Sequence, residues 1–506
     1  MDAAFLSRID ALRRAGRMEE AIAGLRARAE ATSRDPAAWS ALADTLAAAN
    51  RPDLALAAWE RASGLVRPSA ATLCGKARAL QSLGRPGEAT ASFEAAVALD
   101  PDSFEAGFGL ATLAFEAGNL DLAAHQMARV ETSHGGRPGT MWLAARLAVA
   151  RGELERARNL AQRLLASPGL DEAGRAEALL LQSEVLDRLG EPASAFAAAR
   201  EGKVIQRRLF AGRAAGHESE TAKLRRLRTW FQAADPEPWR AVPPRGPPQG
   251  PSGVEGHVFL VGFPRSGTTL LEQALAGHPR VLALEEAPTL ADQYQQFLRD
   301  DDGLARLARI GAREAEVWRG HYWQAVRNHG VEPRGRVFVD KAPAGTLNLP
   351  LIARLFPQAK VLFAVRDPRD VVLSCAMNAF QMNSLTYAFT DLGDTAACYG
   401  ACMALADVYR ALLPLEVMEV RHEGLVEDFP GQLAVIAAFV GLSFDPAMTA
   451  VATTALARPV RTPSAVQVRA GLNRRGLARW RAYAAELAPV RETLAPWVER
   501  FGYPVD

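Results

Sequence analysis

The sequence predicts an α-solenoid of stacked helical hairpins followed by an α/β domain with a mainly parallel sheet. Three observations carry that prediction. The first half repeats with a period of 34 residues, prolines cluster between Pro236 and Pro248, and in the second half short apolar strands end in polar clusters. At 506 residues the chain exceeds what a single core organises. Its net charge of +2 points to no polyanion such as nucleic acid as a partner.

Met1 to Gly16 reads as an amphipathic helix rather than a signal peptide, and no apolar run is long enough to span a bilayer. The four cysteines, Cys74, Cys375, Cys398 and Cys402, show no paired metal-binding spacing, which fits a reduced, cytoplasmic setting. The repeat turn falls on Gly16, Asn50, Gly84, Gly118 and Gly152. Five residues on, Ala21, Ala55, Ala89, Ala123 and Ala157 mark a close helix contact. A larger apolar position holds Leu25, Trp59, Phe93 and Met127, with Ala161 in the next unit. A sixth unit with four extra residues follows at Gly190 and Ala195.

This pattern resembles the tetratricopeptide repeat, in which each hairpin buries its face only by stacking on its neighbours. The resemblance implies a concave groove for a protein partner. A spacer or the arm of a homodimer is an equal alternative. Glu201 to Ala234 is basic and helical, its arginines expected on a solvated face or a seam. Residues 1–234 are thus expected to form the solenoid with its following helix, 235–253 a stiff Pro-rich linker, and 254–506 the second domain.

His257 to Leu271 reads as a buried strand, a tight glycine turn and the start of a helix, a geometry that favours an anion. The spacing Gly262-x4-Gly267 is that of a P-loop, but Thr268 stands where a nucleotide triphosphatase carries lysine, with Thr269 in the Ser/Thr place. Arg265 supplies donors instead. A second cluster, Arg366-Asp367-Pro368-Arg369-Asp370, follows the strand Val361–Val365, with Asp367 as helix cap and Asp370 completing a capping-box-like pair. Ser374 lies eight residues after Arg366, so both reach one phosphate only if helix and strand end converge. A third strand, Val337–Val339, runs into Asp340-Lys341-Ala342-Pro343, where an ammonium can neutralise charge on a leaving oxygen.

Together Pro264–Thr269, Asp340–Pro343 and Val365–Asp370 resemble the sulfotransferase family, over roughly residues 254 to 506. With the repeats, the chain is similar to bacterial sulfotransferases carrying tetratricopeptide repeats, and the second domain to the tyrosylprotein sulfotransferases. The resemblance implies 3′-phosphoadenosine 5′-phosphosulfate (PAPS) as sulfuryl donor and no metal. It implies that Arg265, Ser266, Gly267, Thr268 and Thr269 hold the 5′-phosphosulfate, and Arg366, Ser374 and Arg479 the 3′-phosphate. Glu286 would be the general base, with Glu285 an alternative and a neighbour able to raise its proton affinity. Lys341 would stabilise the bridging oxygen, and Ser464, in the segment Arg461–Arg469, would touch the sulfuryl end. Two departures stand out. His422 replaces a tyrosine beside the adenine, and Pro288 replaces an arginine near the acceptor, which argues against a protein tyrosine. The acceptor stays open between peptide tyrosine, glycan and small alcohol. A P-loop kinase and a non-catalytic scaffold are the competing readings.

Overall fold

The computed structural model describes residues 3–240, 253–457, 471–472 and 474–505. The chain divides into two compact units, Met1–Gly169 and Leu170–Asp506.

In the first unit the predicted hairpins are present, for example Pro36–Ala48 with Pro52–Leu65, and Ala70–Ser82 with Pro86–Leu99. Asp35, Ser69, Ser103 and Asn119 cap first-turn amides, while Pro52 and Pro86 sit where a helix needs no N–H. Every turn landmark takes a left-handed backbone: Gly16, Gly84, Gly118, Gly152 and Asn50 have φ between 57° and 80°. That is why the period selects glycine or asparagine there. The alanine landmarks are almost fully buried, as are Leu25, Trp59, Phe93 and Met127.

The division between the units lies ahead of the expected boundary at residue 234. Helices Glu172–Arg188, Pro192–Ala214 and Glu220–Ala233 keep repeat-like marks, with Gly190 at φ 81° and Ala195 buried. They nonetheless belong to the second unit, because Leu180, Leu224, Leu227, Phe231 and Trp239 share one core with Phe259, Phe263 and Tyr409. The arginines here form a seam: Arg207 pairs with Asp394 at 2.8 Å, and Arg226 donates to the Leu298 carbonyl.

The centre of the second unit is a five-stranded sheet in the order β2-β3-β1-β4-β5. The strands are β1 (Gly256–Gly262), β2 (Val281–Glu285), β3 (Val337–Lys341), β4 (Lys360–Val365) and β5 (Glu416–Arg421), all pairing in parallel. Both faces of β1 are covered, so its residues alternate between two cores, Phe259 and Val261 in one, Val258 and Leu260 in the other. The same alternation sends neighbours on β3 to opposite faces. The central position of β1 puts the carboxyl ends of β2, β3 and β4 around its loop, where ligands of such sheets gather.

Candidate active site

The loop after β1 runs into helix Thr268–Ala276, with Gly267 as its left-handed N-cap at φ 92°. A side chain at Gly267 would also strike the His422 ring, whose Nδ1 lies 2.5 Å from where its Cβ would stand. Ser266, Thr268 and Thr269 are buried at this turn. Arg265 holds φ 72°, an uncommon conformation for a side-chain-bearing residue. Its Nε donates to Ser374 Oγ at 2.9 Å, and its carbonyl accepts from Arg366 Nη1 at 3.1 Å. Arg265 thus lies between the end of β4 and the following helix, its carbonyl bonded to Arg366 and its side chain to Ser374. Burial, with Arg366 and Arg479 nearby, pulls the Arg265 guanidinium down to about 10.

Helix Pro368–Met377 is capped by Asp367, which accepts from the Arg369 N–H and its guanidinium. Asp370 does not complete the expected capping pair. It accepts from the Trp480 N–H at 2.7 Å and lies 3.9 Å from Arg366, and burial raises it to about 6 against the pull of Arg366. Arg369, which binds the carbonyls of Pro504 and Val505 and stacks on Trp480, ties down the end of the chain.

At the ends of β2 and β3 stands a carboxylate cluster around a fully buried Lys341. Its Nζ is 2.8 Å from Glu286, 3.1 Å from Glu285 and 3.5 Å from Glu272. Burial works against the ammonium, but Glu272, Glu286 and Glu285 outweigh it and hold the pKa above the ordinary lysine value. Lys341 is therefore no surface lysine. Glu286 has φ 48° and donates its N–H to the Lys341 carbonyl at 2.7 Å. Side-chain exposure separates the three acids: Glu286 44%, Glu285 13%, Glu272 1%.

On the opposite face of β3, Asp340 is buried and accepts from Thr289 Oγ1 at 2.7 Å and Tyr322 OH at 2.8 Å. Tyr322 OH in turn lies 2.8 Å from His257 Nε2. Burial raises Asp340 to about 6 although both hydroxyls favour its charged form. Asp340 borders a cavity of about 270 Å³ with Ala287, Pro288, Thr289, Leu290 and Tyr294, on the segment that follows Glu286.

Ser464 and the segment Arg461–Arg469 lie outside the described residues. Arg479 is engaged by Asp187 of helix Glu172–Arg188 at 3.0 Å, and its Nη2 also faces Met377 Sδ at 3.5 Å. His422 packs on the loop, half-buried and, through burial and the nearby arginines, pulled down to about 3 and so neutral. Sequence reasoning missed Glu272, Asp187 and the Asp340 network. The one signal for Glu272 was a carboxylate inside the otherwise uncharged run Thr268–Ala276.

Residues 257–446 match the model of the sulfotransferase family, and residues 74–137 that of the tetratricopeptide repeat. Protein-tyrosine sulfotransferase 2 of Gallus gallus is 27% identical over 201 residues, 37% of this chain and 51% of that protein. Protein-tyrosine sulfotransferase 1 of Mus musculus is 33% identical over 123 residues, 23% of this chain and 33% of that protein. An uncharacterized protein of Aquifex aeolicus is 29% identical over 247 residues, 47% of this chain and 32% of that protein. The matched stretches thus span between a third and a half of these relatives. The region around the loop and the Lys341 cluster is a sulfotransferase-family domain, and tetratricopeptide repeats precede it.

Proposed function

We propose that the second unit transfers a sulfuryl group from PAPS to an acceptor hydroxyl. The observation that carries this reading is that the helix following an anion loop without a lysine carries Glu272 to within 3.5 Å of the buried Lys341, which in turn holds the accessible carboxylate of Glu286. Among the described residues, Arg366 Nε is buried without a hydrogen-bond partner, while its other nitrogens bond the carbonyls of Arg265 and Gly476. A buried, unsatisfied guanidinium donor beside Arg265 fits a polyanionic donor molecule. Arg265 to Thr269 would hold its 5′ end, and Arg366 and Ser374 its 3′-phosphate. When bound, PAPS supplies the sulfuryl group.

The residues of the chain then have separable tasks. Glu286, the most exposed of the three acids, is the one an acceptor can approach, which favours it over Glu285 as the base. Its Oε1 is fixed by Lys341, leaving Oε2 to take the acceptor proton. Lys341 and the backbone amides of the loop stabilise developing negative charge. The cavity beside Pro288 is lined mainly by apolar side chains, which favours an apolar or phenolic alcohol over a glycan. The repeats would serve to recruit a protein partner or acceptor.

The test is a thermal-shift titration with 3′,5′-adenosine bisphosphate beside ADP and Mg-ATP. At 100 times its dissociation constant a ligand adds about 2.7 kcal/mol to stability. Stabilisation by the bisphosphate without Mg²⁺ is expected. Stabilisation by Mg-ATP alone would replace this reading with a kinase.

A further inference from the structure

Helix Pro192–Ala214 carries a lysine into the flank of the anion loop. Lys203 is only 2% exposed, yet no carboxylate among the described residues pairs with it. Gly202, just before it, lets this helix close on Glu172–Arg188: a Cβ there would lie 2.9 Å from the Ala176 carbonyl. The ammonium sits 5.3 Å from the centroid of the Phe380 ring. Its field reaches Cys375, whose Sγ donates to the Pro264 carbonyl of the loop at 3.6 Å and whose neighbour Ser374 binds Arg265. Cys375 gives no countercharge, since burial pushes its thiol up to about 12. Burial draws Lys203 itself down to about 8.

A buried ammonium without a carboxylate partner is costly, and an anionic ligand would offset that cost. The cations Lys203, Arg265, Arg366 and Arg479 gather here from four separate stretches of chain. Against them stand Asp187, held by Arg479, Asp370, held by the Trp480 amide, and the exposed Glu184 facing Arg265.

We propose that Lys203 is a further anion-binding residue of this site, an ammonium delivered by the repeat-like hairpin to offset the phosphate charge of the donor. This rests on the sulfuryl-transfer reading above. Lys203 lies outside the stretch that matches the sulfotransferase family, which begins at residue 257. The anion site is then incomplete without the hairpin Glu172–Ala214.

The test uses the full chain and calorimetric titration with 3′,5′-adenosine bisphosphate, beside melting of the ligand-free protein. Lys203→Met and Lys203→Gln should each weaken binding by about tenfold or more, while ligand-free melting holds or rises. Lys203→Arg, which keeps the charge, should stay close to wild type. Unchanged affinity in a folded uncharged variant would overturn the proposal. Unfolding of both uncharged variants would assign the ammonium to the fold and overturn it equally. A wild-type protein that binds no bisphosphate would instead remove the donor reading on which the proposal stands.

Discussion

Arg479 reaches back 292 residues to Asp187, its Nε donating at 3.1 Å to the same carboxylate oxygen that accepts from Tyr483 OH. The last repeat-like hairpin is thereby bound to the segment that passes Arg366 and Asp370. The sequence-expected cut before Val254 would remove Asp187 together with Leu224, Leu227, Phe231 and Trp239 from their core. Burying each such side chain is worth about 1.5–3 kcal/mol, and a whole domain has a margin of about 5–15 kcal/mol. A chain beginning at Leu170 should therefore melt cooperatively, and one beginning at Val254 should be insoluble or lack a cooperative transition. Circular-dichroism melting of both decides it.

Lys341 holds charge and fold at once. Lys341→Ala should abolish turnover and also lower stability by about 3–5 kcal/mol, because the buried Glu272 loses the ammonium 3.5 Å away. Pairing Lys341→Met with Glu272→Leu removes both charges and should recover most of the melting temperature but no turnover. Recovered turnover in the double variant would reduce Lys341 to a structural role.

Glu286→Gln leaves an amide oxygen to accept from Lys341, so the fold and bisphosphate affinity should stay near wild type. Sulfuryl transfer should fall by about 10²-fold or more, the scale of a lost general base. Calorimetry beside a transfer assay separates the two, and full activity would move the base to Glu285.

What the sequence made legible follows from how local each requirement is. A left-handed turn needs glycine or asparagine wherever it occurs, so Gly16, Asn50 and Gly84 announced the solenoid. Arg265, Lys341 and Arg366 were readable because each sits at or just beyond a strand's carboxyl end. The boundary was not readable. Gly190 and Ala195 encode a hairpin, but nothing local encodes the surface on which that hairpin docks. Lys203 and Asp187 were hidden for the same reason: one sits mid-helix and the other in a helix's last turn, and only the docking turns them toward the loop side. Glu272 was concealed in a helix whose burial on the sheet had first to be known.

Asp340 makes stability depend on pH. The unfolded chain loses this proton near 3.8, whereas the folded protein keeps it to about 6. Between those values the native state binds more protons, so stability falls as pH rises, by on the order of 3 kcal/mol for this group. Asp370, also raised to about 6, adds a decline of the same sign. Asp340→Asn still offers an oxygen to Thr289 and Tyr322 but carries no charge. Its melting temperature should exceed wild type at pH 7 and converge with it near pH 4. An unaltered slope would mean that Asp340 is ionised throughout.

The repeat core rests on aromatic rings seated over glycines. A Cβ at Gly75 would lie 2.4 Å from the Trp59 ring, and one at Gly109 would lie 2.4 Å from the Phe93 ring, the same contact one repeat later. Alanine is the better helix former by about 1 kcal/mol, so propensity alone predicts that Gly75→Ala stabilises. Sterics should win, since the buried indole has to leave its seat, and overpacking costs about 1–3 kcal/mol. Gly87, with no atom near its Cβ direction, should show the opposite sign, with Gly87→Ala gaining about 0.4–1 kcal/mol. Adding Trp59→Leu to Gly75→Ala should cost less than the two changes summed, because each relieves the other. Urea unfolding of Gly75→Ala, Gly87→Ala, Trp59→Leu and the double variant measures these signs, and a stabilising Gly75→Ala would show that the ring and the helix part without cost.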